Sequence, residues 1–372
     1  MKILLLASIN SAHTIKWANG LNKKGMKVLV CGLNNNIDRS QYSNGIELIN
    51  LSLPDKILNL DFGSHLKFLY IFSLPGIKKI IKEFKPDLLH SHYASSYGIL
   101  GMLTGFHPFI VSVWGADVFT FPNKSIINKI LIKRLFRRAD QILSTSHFMA
   151  GEINRLTNKT VRITPFGIDT DQFRPLDIHS PFGDNDIIIG TIKGLEYQYG
   201  IEHLLKAFKF AADRNPDYPL KLLIVGKGSL ESQLKKLAEE LNIADSTIFT
   251  GFVRYSEVQN YHNMLDIYLA LSVIDDESFG VAVLEAGACE KPVIVSDIGG
   301  LTEVVENNLT GIIVPSKNPV KAAEAIEFLV KNKEEGKKMG KAARLRILEK
   351  YDFEKNLEQM LMIYNNTVNS HN

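Results

Sequence analysis

The chain has 372 residues, of which 45% are hydrophobic, so it is long and apolar enough for about two domains with sizeable cores. No apolar run reaches the roughly 18–20 residues of a membrane-spanning helix, and the apolar start at residues 3–7 is too short for a signal peptide and predicts a buried strand. The two cysteines, Cys31 and Cys289, stand far apart in apolar settings, which indicates buried thiols in a reducing cytosol and excludes a zinc site.

The net charge of +3 is unevenly distributed along the chain. Residues 1–165 contain 21 Lys and Arg against 9 Asp and Glu, a net of +12, and the remainder carries a net of −9. The densest basic stretch, Lys124–Arg138, interleaves its cations with large apolar residues, as basic amphipathic helices do. We therefore expect it to contact an anionic membrane surface, although a core helix with a solvated basic face has the same pattern. Nucleic acid is not an expected partner, because no recognition motif is found and the second half is acidic.

In chain order, apolar runs alternate with helical patterns, which predicts parallel α/β layers. In the first half, the predicted strands are 3–7, 27–31, 87–90, 109–113 and 141–145, and the predicted helices are 13–24, 77–84 and the basic stretch 124–138. Pro, Gly and Asp then crowd together over residues 164–183, as is typical of a connection. In the second half, the predicted strands are 187–190, 220–225, 248–250, 267–271, 292–295 and 311–314, and the predicted helices are 201–212, 230–241, 281–289, 320–330 and 353–368.

This pattern predicts an α/β fold of two Rossmann-like parallel-sheet domains. The boundaries are 1–165 for the first domain, 166–185 for the linker, 186–350 for the second domain and 351–372 for a C-terminal helix. The carboxyl ends of the two sets of strands would face a cleft, and ligands of such sheets bind at those ends.

The most informative segment, residues 277–285, carries two carboxylates eight residues apart. Glu277 follows a predicted strand and Glu285 lies in a predicted helix. We expect Ser278 to cap that helix and Gly280 to leave room for a ligand near the backbone. The free N–H groups of a helix start suit a phosphate, so the segment fits a nucleotide sugar held between two acceptors. A solvated helix start with two surface acids would have the same spacing.

Six segments come in one order over residues 160–315: Pro165–Asp169, Gly190–Lys193, Val225–Gly228, Gly251–Val253, Glu277–Glu285 and Pro292–Leu301. Together they resemble the retaining GT-B-fold glycosyltransferases of family 4, also called glycosyl transferases group 1. The first half matches more loosely. The resemblance implies that the first domain binds the acceptor, that the second binds a nucleotide sugar, and that the C-terminal helix packs back on the first domain.

The resemblance also implies a role for each residue of the donor site. Glu277 would contact sugar hydroxyls near the reacting carbon, Glu285 would accept hydrogen bonds from the ribose hydroxyls, and Lys193 would stand against the diphosphate. A carboxylate suits the ribose because it only accepts hydrogen bonds and the diol supplies donors. The further donor-binding residues implied in this way are Gly194, Gly226, Gly228, Val253, Ser278, Phe279, Gly280 and Val281.

Two departures from the family's pattern concern charge and the acceptor. Gln198 stands where a second diphosphate-binding Lys is usual, and Lys227 is a possible substitute. Trp114 stands where many relatives have His, and Asp117, three residues later, could orient an acceptor hydroxyl as a catalytic residue. The neighbouring strand ends offer further acceptor-binding candidates, although a His at a buried strand end is more often a satisfied core residue: His13, His90, His92, Tyr93 and Trp114 itself.

The resemblance implies transfer of a sugar to a hydroxyl with retention of configuration, by front-face attack assisted by the leaving phosphate. The enzyme would be a hexosyl- or N-acetylhexosaminyltransferase. We expect no metal cofactor, because no Asp-x-Asp clamp lies in a suitable loop and Asp275-Asp276 is contiguous. The basic first half indicates a glycan or lipid-diphosphate-linked glycan as acceptor, at the inner face of the cell membrane, in bacterial surface polysaccharide synthesis.

Three alternatives remain open at this point. The first is a cytosolic transferase with a soluble acceptor. The second is a nucleotide-sugar epimerase, which shares the GT-B architecture. The third is a non-catalytic sensor of nucleotide sugars, which Lys193 and the two carboxylates disfavour.

Overall fold

The computed structural model describes residues 1–33, 37–53, 65–275 and 277–371. It consists of two compact units, one of Met1–Phe166 together with the chain from Glu354 onward, and one of Gly167–Phe353. The segment 167–185, within our predicted linker, belongs to the second unit, and Phe173 in it is fully buried.

A parallel sheet forms the centre of the first unit. Its strands are β1 Lys2–Leu6, β2 Lys27–Gly32, β3 Glu47–Asn50, β4 Leu88–His92, β5 Phe109–Val113, β6 Gln141–Ser144 and β7 Val161–Ile163. Among the described residues they pair in the order β3–β2–β1–β4–β5–β6–β7. The helices around them are α1 Ala12–Lys23, α2 Leu74–Phe84, α3 Ile99–Thr104, α4 Ala116–Phe119, α5 Ile126–Arg138 and α6 His147–Asn154. β4 and β5 are buried along their whole length, as strands covered on both faces are.

The second unit repeats this architecture with a smaller sheet. Its strands are β8 Ile187–Ile192, β9 Leu220–Val225, β10 Thr247–Gly251, β11 Ile267–Ala270, β12 Val293–Ser296 and β13 Gly311–Val314. They pair, all parallel, in the order β10–β9–β8–β11–β12–β13. The helices are α7 Ile201–Arg214, α8 Glu231–Glu240, α9 Val258–Met264, α10 Val281–Ala288, α11 Leu301–Val304, α12 Pro319–Lys331 and α13 Lys333–Lys350. The strand order reverses between β8 and β11, and the crevice at such a point is where ligands of doubly wound sheets bind.

The last helix, α14 Phe353–Asn369, leads the chain back into the first unit, as predicted. The Gln359 side chain donates to the Ile163 carbonyl at 3.0 Å, beside the edge strand β7. Tyr364 Oη lies 2.6 Å from His90 Nδ1, near the end of β4. The helix therefore supports two strand ends of the first sheet.

The predicted strands and helices appear within a few residues of their expected bounds, and the predicted fold class is confirmed. Eight of the strands and helices named above are missing from our sequence prediction: β3, β7, α3, α4, α6, α9, α11 and α13.

Candidate active site

Two loops at the carboxyl edge of the second sheet are locked together by backbone contacts. The Leu195 N–H donates to the Lys227 carbonyl at 3.1 Å, and the Leu230 N–H donates to the Leu195 carbonyl at 3.0 Å. Gly226, at φ 135°, has no room for a side chain, because a Cβ there would lie 2.0 Å from the Lys193 carbonyl oxygen. The loops after β8 and β9 thus form one frame that fixes the backbone of Lys193.

Lys193 and Glu277 form an ion pair on this frame. Lys193 Nζ lies 2.7 Å from Glu277 Oε2, and the two side chains are only 17% and 12% exposed. The ammonium also stands 4.5 Å from the centre of the Tyr199 ring, a cation–π contact. Burial lowers the pKa of Lys193, but Glu277, Tyr268 and Tyr199 together raise that pKa above its usual value. Lys193 is therefore a fixed positive charge.

Helix α10 begins behind a glycine with left-handed backbone. Gly280, at φ 91°, is its N-cap, and no side chain caps the helix. Our prediction that Ser278 is the cap is wrong, because the chain first turns Phe279 into the core, where it is 1% exposed and its ring centre lies 5.6 Å from that of Tyr351. The N–H groups of Phe279, Gly280 and Val281 are the donors predicted for a diphosphate, and the helix itself begins at Val281.

Glu285 lies in the second turn of α10 and is 4% exposed. The Tyr255 hydroxyl donates to its Oε1 at 3.0 Å, and His262 Nε2 lies 3.6 Å from its Oε2. Burial lowers the pKa of the fully buried His262, so this imidazole is neutral at pH 7. The sequence analysis missed Tyr255 and His262, which belong to no motif and are marked only by their place after β10.

The other predicted donor-binding residues lie at the same edge of the sheet. Gly194 and Gly228 belong to the loops after β8 and β9, and Val253 follows β10 beside the exposed Phe252. The structure thus brings residues from four loops of the second unit to one edge, and their roles in donor binding stay predictions.

Lys227 and Gln198 concern the second cation expected beside the diphosphate, because Gln198 stands where a Lys is usual and carries no charge. Lys227 is exposed, and its Nζ lies 5.3 Å from the centre of the Phe252 ring. The Gln198 carbonyl accepts from the Val273 N–H at 2.9 Å, which holds its turn against the segment after β11. Within the described ranges, no three His, Cys, Asp or Glu side chains are grouped so as to hold a metal ion.

In the first unit, the Asp117 carboxylate joins the loops that follow β4 and β5. It accepts the N–H groups of Ala94 at 2.7 Å, Gly115 at 2.8 Å and Trp114 at 3.2 Å, and it is fully buried. Burial raises its pKa to about 6, although the backbone hydrogen bonds oppose the shift. Asp117 therefore shapes these loops, and its catalytic part in orienting an acceptor stays a prediction.

The predicted acceptor-binding aromatics form one cluster at the same edge of the first sheet. His13 stacks on Phe166 with ring centres 3.8 Å apart, and the His92 and Trp114 ring centres are 4.6 Å apart. His92 Nδ1 is buried without a hydrogen-bond partner among the described residues. These contacts place an imidazole and an indole side by side at a strand end, and the acceptor-binding roles of these residues stay predictions.

Two further acceptor candidates have structural parts in that cluster. His90 uses both ring nitrogens, Nδ1 toward Tyr364 Oη and Nε2 toward Ser112 Oγ at 2.8 Å, as expected of a satisfied core histidine. Tyr93, the residue directly after β4, has a backbone φ of 76°, a conformation that bulky residues rarely adopt. The acceptor-binding roles of both residues stay predictions.

The buried histidines make the first unit sensitive to acid. Burial lowers the pKa values of His13 and His92 to about 3 and that of His90 well below its usual value, so below pH 6.5 the unfolded chain binds three protons that the folded chain excludes. Asp117 has the opposite sign, because its raised pKa of about 6 lets the folded chain take up one proton first as the pH falls. The free energy of unfolding should therefore fall by about 2.7 kcal/mol per pH unit between pH 6 and 5.

Urea unfolding followed by tryptophan fluorescence measures this slope, because both tryptophans, Trp17 and Trp114, belong to the first unit. His92→Gln removes one titrating group and should halve the slope to about 1.4 kcal/mol per pH unit, since His13 and His90 are then opposed by Asp117 alone. An unchanged slope in this variant would show that His92 does not exclude a proton.

Comparisons with known proteins cover most of the chain. Residues 175–346 match the family model described as "Glycosyl transferases group 1", and residues 2–146 match "Glycosyl transferase 4-like". An uncharacterized glycosyltransferase of Methanocaldococcus jannaschii is 29% identical over 181 residues, which is 49% of this chain and 45% of that protein, less than half its length. N-acetyl-alpha-D-glucosaminyl L-malate synthase of Bacillus anthracis is 27% identical over 290 residues, 75% of this chain and 74% of that protein.

A solved structure of Anabaena HepE in complex with UDP-glucose has a similar fold. Its TM-score is 0.77 at 16% identity, and the match covers 98% of this chain and 100% of that one. The likeness supports the same fold.

Proposed function

Because this chain belongs to the glycosyl transferases group 1 and has the GT-B fold, we propose that it is a retaining glycosyltransferase that moves a sugar from a nucleotide diphosphate to a hydroxyl of a glycan or lipid-linked glycan. The ion pair of Lys193 and Glu277 carries the proposal. It holds a cation for a leaving diphosphate and a carboxylate for sugar hydroxyls 2.7 Å apart. UDP-glucose in the Anabaena protein supports a nucleotide-sugar donor.

The reaction would take place on one face of the sugar. The bond between C1 and the leaving diphosphate oxygen breaks, the acceptor oxygen bonds to C1 from the same face, and its proton passes to the leaving phosphate. Lys193 and the first N–H groups of α10 stabilise the negative charge that develops on the diphosphate. Gln198 carries no charge, so the side chain of Lys227 would supply the second cation for the diphosphate.

The sugar transferred would be a hexose or an N-acetylhexosamine. The relative from Bacillus anthracis is named for an N-acetylglucosaminyl product, which supports this range. Glu277 is the residue of the site that would contact the sugar hydroxyls. Its Oε2 is held by Lys193 and Ser272, and neither of these contacts uses its Oε1.

Lys193→Ala should reduce turnover about 100- to 1000-fold, the loss typical of removing one group that stabilises developing negative charge. The measurement is release of nucleoside diphosphate from whichever uridine, guanosine or adenosine diphosphate sugar most raises the melting temperature of the wild-type protein. Lys206→Ala, which removes an exposed lysine paired with Glu202 on α7, is the matched control and should keep full activity.

Turnover that survives in a folded Lys193→Ala variant would remove this residue from the mechanism. Inversion of the donor at C2 without an acceptor would instead identify an epimerase. Retention itself is read from the anomeric proton of the glycoside product by nuclear magnetic resonance.

We further propose that the reaction needs no divalent metal. Lys193 and Lys227 would supply the positive charge that a divalent metal ion supplies in other glycosyltransferases. The start of α10 adds a partial positive charge. Turnover should therefore be unchanged, within about a factor of two, after treatment with EDTA and after addition of Mg²⁺ or Mn²⁺. A tenfold loss on chelation that Mn²⁺ restores would contradict this proposal.

The acceptor would lie on an anionic membrane, and α5 is the proposed contact. Ile132 and Phe136 lie on its buried side and belong to the core, whereas three isoleucines at its start are exposed to solvent. Ile126, Ile127 and Ile130 are 69%, 65% and 57% exposed. Such exposed isoleucines beside cations are typical of helices that lie in the membrane interface.

The charge of α5 fits the same surface. From Lys124 to Arg138 the sequence has six cations and no acid, and all six side chains are exposed: Lys124, Lys129, Lys133, Arg134, Arg137 and Arg138. Each cation near an anionic surface contributes about 1 kcal/mol. None of the helices in the described ranges is long and apolar enough to cross a membrane. We place the enzyme at the inner face of a bacterial cell membrane, in surface polysaccharide synthesis.

Substitution of serine for Ile126, Ile127 and Ile130 should reduce flotation with vesicles of phosphatidylglycerol severalfold, because the apolar burial is lost and only the attraction of the cations remains. Flotation at 150 mM NaCl compares this variant with a control that replaces three exposed apolar residues of the second unit, Leu309, Val320 and Leu345. The control should float like wild type. Equal flotation of all three proteins, or none for wild type, would contradict the membrane contact.

A further inference from the structure

Glu285 is held from two sides by aromatic residues that the proposed mechanism does not use. The Tyr255 hydroxyl donates to Oε1 at 3.0 Å, and His262 stands behind Oε2 with Nε2 at 3.6 Å. Tyr255 lies in the turn that leads from β10 into α9, and His262 lies on α9 itself. One short segment therefore supplies both neighbours of the carboxylate.

The Tyr255 ring packs against a residue whose own position is fixed. Its ring centre lies 5.9 Å from that of Phe173, which is fully buried. The Phe173 backbone is fixed in turn, because its N–H donates to the Asp169 carbonyl at 2.8 Å and its carbonyl accepts from Arg344 at 3.1 Å. Tyr255 itself is still 45% exposed, so one side of it faces open space at the sheet edge.

The hydroxyl of Tyr255 is a permanent donor to Glu285. Burial and the neighbouring carboxylate raise the pKa of Tyr255, so its proton stays in place across the physiological range. The neutral His262 fills the space on the other side. A carboxylate offers about four acceptor positions, and the tyrosine takes one, so acceptor positions remain on both oxygens.

This arrangement suits a pair of neighbouring hydroxyls. A vicinal diol needs two acceptors at a fixed separation and orientation, and a carboxylate that is free to rotate would lose entropy on meeting it. With one oxygen held by a tyrosine and the other backed by an imidazole, Glu285 is already ordered before a ligand arrives. Such preorganisation strengthens binding because it lowers the cost of ordering the site.

We infer that Tyr255 is a positioning residue that fixes the Glu285 carboxylate for the two hydroxyls of a ribose, and that it sets the preference of the site for ribonucleotides over deoxyribonucleotides. The inference rests on the proposed function, since it assumes that the second unit binds a nucleotide. It goes beyond it by assigning sugar selection to a tyrosine outside the recognised segments.

The test uses Tyr255→Phe, which keeps the ring on Phe173 and removes only the hydroxyl. Calorimetric titration with a ribonucleoside diphosphate and its 2′-deoxy and 3′-deoxy forms gives the ratio of affinities, with the base chosen from the thermal-shift screen. Wild type should prefer the ribonucleotide at least tenfold. The variant should bind the ribonucleotide about five- to tenfold more weakly and the deoxy forms as wild type does, so the ratio falls toward one.

Steady-state kinetics adds a second readout. KM for the nucleotide sugar should rise by the same factor in Tyr255→Phe while kcat stays within about twofold, because the tyrosine acts on binding rather than on the bond that breaks. Tyr218→Phe, the same change at a tyrosine just before β9, is the matched control and should alter neither the ratio nor KM.

The outcomes separate the inference from the proposed function. Failure of the wild-type protein to bind any nucleoside diphosphate overturns the proposed function. Binding by wild type with an unchanged ratio in Tyr255→Phe overturns the inference alone. Tighter ribonucleotide binding by the variant also overturns it, because the hydroxyl would then be occupying the place of the diol.

Discussion

The ion pair between Lys193 and Glu277 is the interaction on which the candidate site depends. Each side chain is largely withdrawn from water, and a buried charge is costly unless an opposite charge faces it. The two residues come from loops that follow β8 and β11, which are neighbours at the point where the strand order reverses. The fold thus brings the two charges together, and the pair in turn ties the two loops at the crevice where ligands of such sheets bind.

Close backbone packing makes this arrangement possible. A Cβ on Gly228 would lie 2.3 Å from the Leu195 carbonyl oxygen, and one on Gly300 would lie 2.4 Å from the Ser278 carbonyl oxygen. The loops can approach each other only because these positions lack side chains. Short glycine-containing segments therefore recur at this edge, and that is why single segments of this kind were weak signals while their order along the chain was a strong one.

The sequence analysis missed short elements and elements with a weak apolar pattern, and five of the missed helices have eight residues or fewer: α3, α4, α6, α9 and α11. β3 lies at the sheet edge with half-exposed residues, and β7 has only three residues, none of them fully buried. Helix α13 buries three small residues, Gly336, Gly340 and Ala343, and only two large apolar ones, Met339 and Ile347. A Cβ on Gly340 would lie 1.9 Å from the Glu290 carbonyl oxygen, so the close packing that holds this helix leaves only a weak hydrophobic pattern.

For the candidate site, the sequence revealed local patterns but not the contacts between residues far apart in the chain. Lys193, Glu277 and Glu285 were found because short segments mark them, but their pairing, and the contact of Tyr255 with Glu285, join residues far apart in the chain. The predicted cap at Ser278 failed because spacing along the chain does not reveal that Phe279 must first enter the core. Sequence patterns therefore predicted which residues lie at this edge of the sheet more completely than which of their atoms are in contact.

The distribution of charge assigns different tasks to the two halves of the chain. Residues 166–372 have a net charge of −9, which at long range repels a diphosphate, yet screening at physiological salt limits that repulsion to about 8 Å. In the proposed function, binding would then come from groups in direct contact, namely Lys193 and the start of α10, and their placement would be decisive. Residues 1–165, with a net of +12, would attract an extended anionic surface without needing such placement. The small anion would thus be selected by geometry, and the large one by total charge together with the exposed isoleucines of α5.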